Sequence, residues 1–213
     1  LKKRKANSKK FIFPKKCPCG FETIKEFNKI TKKFDAVRRC PDRGFDCDRM
    51  AREKLKHFVS KDAFNIEGLG KKVIEKFWSL GFIKFPHDIF NLDYSKISQL
   101  DGWGKRSVEN LKKSIKKSEK VSLDKFIFSL GIRHIGQENA KLLSEFLRKK
   151  ENFFRLKNQN CIQELINIDG IGDTQVNSLK MFFNEKINID VILNLSKSLD
   201  IQVFKENNSP GKL

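Results

Sequence analysis

The chain has 213 residues, with 45 Lys and Arg against 26 Asp and Glu and a formal net charge of +19. An apolar fraction of 38% suffices for a packed core and excludes wholesale disorder. Mean hydropathy is −0.53, and no run approaches the roughly 18 apolar residues that a membrane-spanning helix needs.

The first ten residues, LKKRKANSKK, form a basic run without the apolar stretch of a secretory signal, so a cytoplasmic setting without membrane contact is expected. Residues 1–13 read as a basic linker, and the missing Met reads as an interior cut. The charge predicts a polyanionic partner, nucleic acid first. A lysine excess beside many Phe, Ile and Asn also fits AT-rich coding bias, so position has to decide. Residues 1–60 hold 19 basic and 7 acidic residues, whereas residues 61–213 hold 26 and 19.

That basic front segment also carries Cys17, Cys19, Cys40 and Cys47. Clustered cysteines in a reducing compartment bind metal more often than they form disulfides. The Cys17-Pro18-Cys19-Gly20 and Cys40-Pro41 segments suit a zinc knuckle, where Pro and Gly set a tight turn and four thiolates close a structural Zn2+ site. One residue separates the first pair and six separate the second, both departures from the common spacing of two to four. The alternative is a basic loop that has lost its metal. Residues 14–59 are assigned to this finger and a connecting helix. Cys161 lies apart, as a small buried thiol in a helix start capped by Asn160. His57, His87 and His134 have no ligand or triad spacing and are read as packed or surface residues.

From residue 60 to 200 the chain repeats itself. Four segments carry Gly-apolar-Gly or its variant: Gly68-Leu69-Gly70, Gly102-Trp103-Gly104, His134-Ile135-Gly136 and Gly170-Ile171-Gly172. Their second glycines are 34, 32 and 36 residues apart. The pattern predicts helix–hairpin–helix units. The first Gly permits a tight turn or positive φ. The central apolar residue plugs the space between the helices. The second Gly leaves the next helix's N-terminus bare, with free N–H groups and the positive dipole end facing outward. Lys71, Lys72, Lys105 and Arg106 follow at once and add charge. The candidate DNA-backbone contacts are therefore Gly68, Gly70, Lys71, Lys72, Gly102, Gly104, Lys105, Arg106, Gly136, Gly170 and Gly172. The competing reading is a repeat used only for packing. It weighs most on the third copy, where His134 replaces Gly. In the fourth copy Asp173 opposes a phosphate.

Helices are predicted over 71–80, 86–92, 105–118, 122–129, 137–148, 173–184 and 188–197, with no strand-rich stretch after residue 60. Phe126, Phe128, Phe146, Phe182 and Phe183 are expected in the core. Residues 201–213 read as a C-terminal linker. The fold class is mainly α: a small four-Cys zinc finger followed by a tandem four-copy helix–hairpin–helix domain.

A four-cysteine finger followed directly by four hairpins resembles the bacterial NAD-dependent DNA ligases. Phe13-Pro14, Cys17-Pro18, Leu55-Lys56-His57-Phe58-Val59-Ser60, Ile66-Glu67-Gly68-Leu69-Gly70 and Leu130-Gly131-Ile132-Arg133 all read like that family, over roughly residues 11–205. The resemblance places the four cysteines at zinc-ligand positions of a structural site. It implies hairpins that hold the minor-groove side of nicked duplex DNA, and it accommodates a degenerate third copy. It further implies a parent reaction that passes AMP from NAD to a lysine and on to a 5′-phosphate, with NAD and Mg2+ needed only by the intact ligase. The family's Lys-x-Asp-Gly nucleophile motif does not occur here: Asp-Gly appears only in Gln99-Leu100-Asp101-Gly102 and Asn167-Ile168-Asp169-Gly170. No nicotinamide-binding, adenylation or OB segment is read before the finger. No BRCT-like domain is read after Ser209-Pro210-Gly211.

The expected function is the DNA-binding portion of such a ligase in replication and repair, not catalytic alone, with the missing ligase domains as further partners. A stand-alone module that binds DNA structure is the alternative. An enzyme in its own right finds no support, since no carboxylate cluster, triad or phosphate-activating loop is present.

Overall fold

The computed structural model describes residues 12–28, 32–42 and 44–203. The basic run at 1–11 and the tail from 204 lie outside the described residues. Helices dominate, as the periodicity predicts.

The finger is built from turns and short pairings. A two-residue antiparallel ladder joins β1 (Phe27–Asn28) to β2 (Lys33–Phe34), and single bridges link Lys16 to Glu22 and Ile24 to Arg39. Arg38 cross-braces it, donating from Nε to the Thr23 hydroxyl at 2.8 Å and from Nη2 to the Thr23 carbonyl.

Helix α1 (Asp48–Phe58) leads from the finger into the hairpins. It buries Ala51, Leu55 and Phe58 on one side. On another, Arg52 and Lys56 both pair with Glu75 of α2 (Lys71–Ser79), each at 2.5 Å. A 3-10 helix follows at Pro86–Asn91, one turn type tighter than the predicted α-helix. Pro86 needs no N–H in its first turn, and the Asp88 carboxylate takes the Lys84 and Phe85 N–H groups, both at 2.8 Å. Then come α3 (Tyr94–Ser98), capped by the Asp93 carboxylate, and α4 (Lys105–Ser118). The strand β3 (Lys120–Ser122) runs directly into α5 (Leu123–Ser129), and α6 (Gln137–Leu147) and α7 (Lys150–Arg155) follow. The last stretch comprises α8 (Gln159–Gln163), a 3-10 turn at Glu164–Asn167, α9 (Asp173–Asn184), α10 (Lys186–Ser198) and β4 (Asp200–Gln202).

Three expectations need correction. A parallel ladder pairs β3 with β4, Lys120 opposite Asp200 and Ser122 opposite Gln202. Three residues are too few for alternation to be readable, which is why sequence alone showed no strand there. Phe146 is 50% exposed, because α6 turns Ala140, Leu143, Ser144 and Leu147 inward instead. Asn158, not Asn160, caps α8 by accepting from the Asn160 N–H, and Cys161 is only half-buried.

One continuous core runs from Ala51 to Ile201. Leu69, Ile135 and Ile171 are 2%, 4% and 4% exposed, so three hairpin plugs are buried as expected. Trp103 is half-buried, its ring 5.4 Å from that of Phe77. Phe126, Phe182 and Phe183 join the core, while Phe128 packs edge-on to His57 at 4.7 Å. His57 is thus a packing residue, and its Nε2 lies 2.8 Å from the Phe128 carbonyl oxygen.

The finger locks to the hairpins at close quarters. Gly44 is buried against α10, where any Cβ would come within 2.7 Å of Ile187. Its carbonyl accepts from Lys54 Nζ at 2.7 Å, and that ammonium also sits 4.7 Å from the Phe45 ring centre. Burial pulls the Lys54 pKa down from 10.5 to about 8, against the opposing pull of Asp42 and Glu185.

Two outcomes follow. Leu69→Ala removes a buried plug and should cost about 2–5 kcal/mol in urea unfolding. For Lys54, the unfolded chain binds more protons than the folded one between pH 8 and 10.5, so its burial penalty is relieved as pH rises through that window. Stability of the parent relative to Lys54→Met should therefore rise across that window in unfolding measured at stepped pH.

Candidate metal centre and nucleic-acid interface

The two halves of the metal centre come from turns with different architects. The first is the turn from Cys17 to Gly20: the Gly20 N–H donates to the Cys17 carbonyl at 2.8 Å, and Gly20 takes φ +94°. The second half is organised by Asp42. Its carboxylate accepts from the Gly44 N–H at 3.0 Å and the Cys47 N–H at 3.2 Å, so the six residues between Cys40 and Cys47 close into a loop. Cys47 then stands at the N-cap of α1, fully buried.

The four Sγ atoms all lie within 4.8 Å of one another. Cys17 reaches Cys47 at 3.8 Å and Cys19 reaches Cys40 at 3.9 Å, so the sequence pairs are interleaved. These separations far exceed a disulfide bond, and all four thiols are free. Four thiolates tetrahedrally around zinc at about 2.3 Å would stand roughly 3.8 Å apart. The donor set therefore fits a thiophilic ion of zinc's type despite the shortened first pair. Without a cation, burial pushes the Cys40 thiol up to about 12; the Asp42 N–H opposes this, while Cys47, Cys17 and Cys19 add to it.

The nucleic-acid candidates share one geometry. In each hairpin the central apolar N–H donates three residues back: Leu69 to Ile66, Trp103 to Leu100, Ile135 to Ile132 and Ile171 to Ile168, at 3.0–3.3 Å. The third residue of each turn has positive φ: +92° at Gly68, +84° at Gly102, +60° at His134 and +86° at Gly170. This is the signature of a type II turn, which favours Gly at that position. His134 carries the strain that Gly avoids, and its carbonyl is held by the Asn139 side-chain amide at 2.9 Å.

The second glycines are extended N-caps. Gly70, Gly104, Gly136 and Gly172 precede α2, α4, α6 and α9. A Cβ on Gly70, Gly104 or Gly136 would meet nothing within 4 Å, and α2, α4 and α6 receive no side-chain cap. Lys71, Lys72, Lys105 and Arg106 are exposed beside the first two. The fourth tip differs. Gln175 folds back so that its side-chain oxygen accepts the Gly172 N–H at 3.2 Å, and a Cβ on Gly170 would come within 2.9 Å of Leu142.

The third tip faces the finger. Arg133, second residue of its turn, pairs with Glu26 and lies 3.8 Å from Asp35. Sequence reasoning missed Arg133 and Gln175. Gln175 was findable as the third helical residue after Gly172, the capping-box position. Arg133 was not, because its partners lie some hundred residues away.

Comparison with known proteins matches these features. Residues 60–117 match the family described as a SAM-like helix-hairpin-helix tandem, and residues 125–192 match the helix-hairpin-helix motif. Over its whole length the chain is 58% identical to the DNA ligase of Pelagibacter ubique and 41% identical to that of Rickettsia bellii. The DNA ligase of Wolbachia pipientis is 42% identical over 99% of the chain. The chain thus corresponds in sequence to a portion of the bacterial DNA ligases. It spans about a third of the length of these relatives, 32% in each case. The hairpins expected from the sequence are matched by these families, and the resemblance drawn over roughly residues 11–205 is upheld. No described helix is long and apolar enough to cross a membrane.

Metal analysis of the gently purified chain should find one zinc per molecule. Cys47→Ser should lower that content and loosen the finger, read as faster proteolysis between residues 12 and 47. A chain that holds no metal while its finger resists protease would refute the site.

Proposed function

We propose that this chain grips nicked duplex DNA by its phosphate backbone for an NAD-dependent DNA ligase, and that it supplies positioning rather than the covalent step. The observation that carries the reading is the open N-cap glycine. At Gly70 and Gly104 an extended, side-chain-free residue begins an uncapped helix with two exposed cations next to it. A phosphodiester oxygen can approach these N–H groups because no Cβ intervenes, and the dipole end and lysines favour its charge. Such contacts hold register without reading bases.

On this reading the tips are not equal. Gly68, Gly70, Lys71 and Lys72 form one phosphate site, and Gly102, Gly104, Lys105 and Arg106 form the second. Gly136 offers an open N-cap, but Arg133 beside it is engaged by the finger. Gly170 and Gly172 make a weaker site, since Gln175 competes for the N–H and Asp173 repels the anion.

The division we propose is a finger with connecting helix over 14–59 and a hairpin domain over 60–200. Cys17, Cys19, Cys40 and Cys47 would hold structural zinc, which when bound cross-links two turns that have few apolar contacts. NAD and Mg2+ belong to the chemistry of an intact ligase, and no residue of this chain is assigned to them.

The 213-residue chain should bind duplex DNA with little sequence preference. Its log affinity should fall against log salt with a slope near −5 for about six phosphates. Gly70→Ala with Gly104→Ala leaves backbone and core undisturbed, because both residues are extended and face open space. It should weaken binding by about tenfold or more. Salt-independent binding, or an unaffected double variant, would sink the reading. A four-way junction that outcompetes a nicked duplex would favour a structure-binding module instead.

A further inference from the structure

Between the first two hairpins lies an open groove of about 1000 Å³, with the turn glycines Gly68 and Gly102 both on its lining. Its far side is built of lysines from three elements: Lys113 and Lys117 of α4, Lys120 of β3 and Lys125 of α5. All four are exposed. None has a carboxylate partner among the described residues, whereas their α4 neighbours are engaged. Lys116 pairs with Glu119 at 2.5 Å, and Lys112 lies over the Tyr94 ring at 5.7 Å. Neither of those two lines the groove. Glu67 is the one acidic residue on its lining.

The groove is polar beneath as well. Ser107, Asn110 and Ser114 of α4 line it, and Ser114 Oγ accepts the Glu67 N–H at 2.8 Å, which fixes the floor to the first turn. Lys113 and Lys117 stand one helical turn apart, where like charges repel. Among the described residues no carboxylate pairs with either, so a polyanion in the groove is the natural complement.

The dimensions suit a continuing nucleic-acid strand. At 1.5 Å per residue, Lys113 lies about 12 Å and Lys117 about 18 Å beyond Lys105 along α4. Phosphates of one strand recur every 3.4 Å or so of duplex axis, so a strand running alongside α4 would meet these lysines about four to five base pairs past the tip contacts.

We propose that the groove is a second backbone-binding surface: duplex DNA held by the first two hairpin tips continues along it, and Lys113, Lys117, Lys120 and Lys125 engage phosphates of one strand beyond the tips. This rests on the reading of the tips as backbone contacts.

The test titrates salt against affinity for duplexes of about 10 and about 24 base pairs, long enough to reach the tips alone or the tips and the groove. The parent chain is compared with a groove variant (Lys113→Gln, Lys117→Gln, Lys120→Gln and Lys125→Gln) and a tip variant (Lys71→Gln, Lys72→Gln, Lys105→Gln and Arg106→Gln). The groove variant should lose roughly 3–4 units of salt slope on the long duplex and bind the short one as the parent does. The tip variant should weaken on both. Replacing the same four groove lysines by arginine should restore the slope, which separates charge from any change in folding. A groove variant with the parent's slope on the long duplex, beside a weakened tip variant, overturns the groove and leaves the tips. A loss confined to single-stranded DNA also overturns the groove. A parent chain that binds neither duplex overturns both readings.

Discussion

The sign of one backbone angle governs this structure. Each hairpin reverses direction through a turn whose third residue must take positive φ, and each reversal delivers the next residue as an extended N-cap. The plug residue between them then falls into the core, and the helix that follows starts with its N–H groups toward solvent. Packing and anion attraction are thus two outcomes of one turn. The third copy keeps the geometry without Gly, because His134 accepts φ +60° and Asn139 braces its carbonyl. Retaining the turn while losing the glycine fits a copy valued for its contacts with the finger.

The finger depends on that third tip in turn. Arg133 offers one guanidinium to Glu26 and Asp35, Gly44 allows α10 to approach, and Lys54 bonds the Gly44 carbonyl from α1. Most of the finger's own apolar side chains are exposed, including Phe27, Phe34 and Val37. A segment of that composition lacks the buried area to order itself, so its arrangement rests on the thiol cluster and on these few contacts.

Much of this was legible from residue types. The hairpins announced themselves because Gly-apolar-Gly recurs at an almost even interval, and each plug could be named in advance. The helices at 105–118 and 173–184 matched their predicted bounds, since strong amphipathic periods end there at clear signals. What stayed hidden depended on distant partners or short elements. The β3–β4 ladder has three residues a side. Phe146 is as apolar as Phe126, and only the rotation of α6 puts it outside. The fit of Cys17 and Cys19 to one site could not be judged from spacing, because the four thiols meet only where the two loops come together, Cys17 nearest Cys47 and Cys19 nearest Cys40. The lysine groove was invisible for the same reason: its members come from three elements, and only Lys113 and Lys117 share a helical face.

The β3–β4 ladder bears on the order of folding. It joins residues 80 positions apart, Lys120 to Asp200, through three register pairs. Closing a loop of that length costs roughly 4 kcal/mol of chain entropy, more than so short a ladder returns by itself. Each hairpin closes a far shorter loop. The third and fourth hairpins must therefore assemble first and carry Asp200–Gln202 into place, so the ladder is a late clasp on helices already folded.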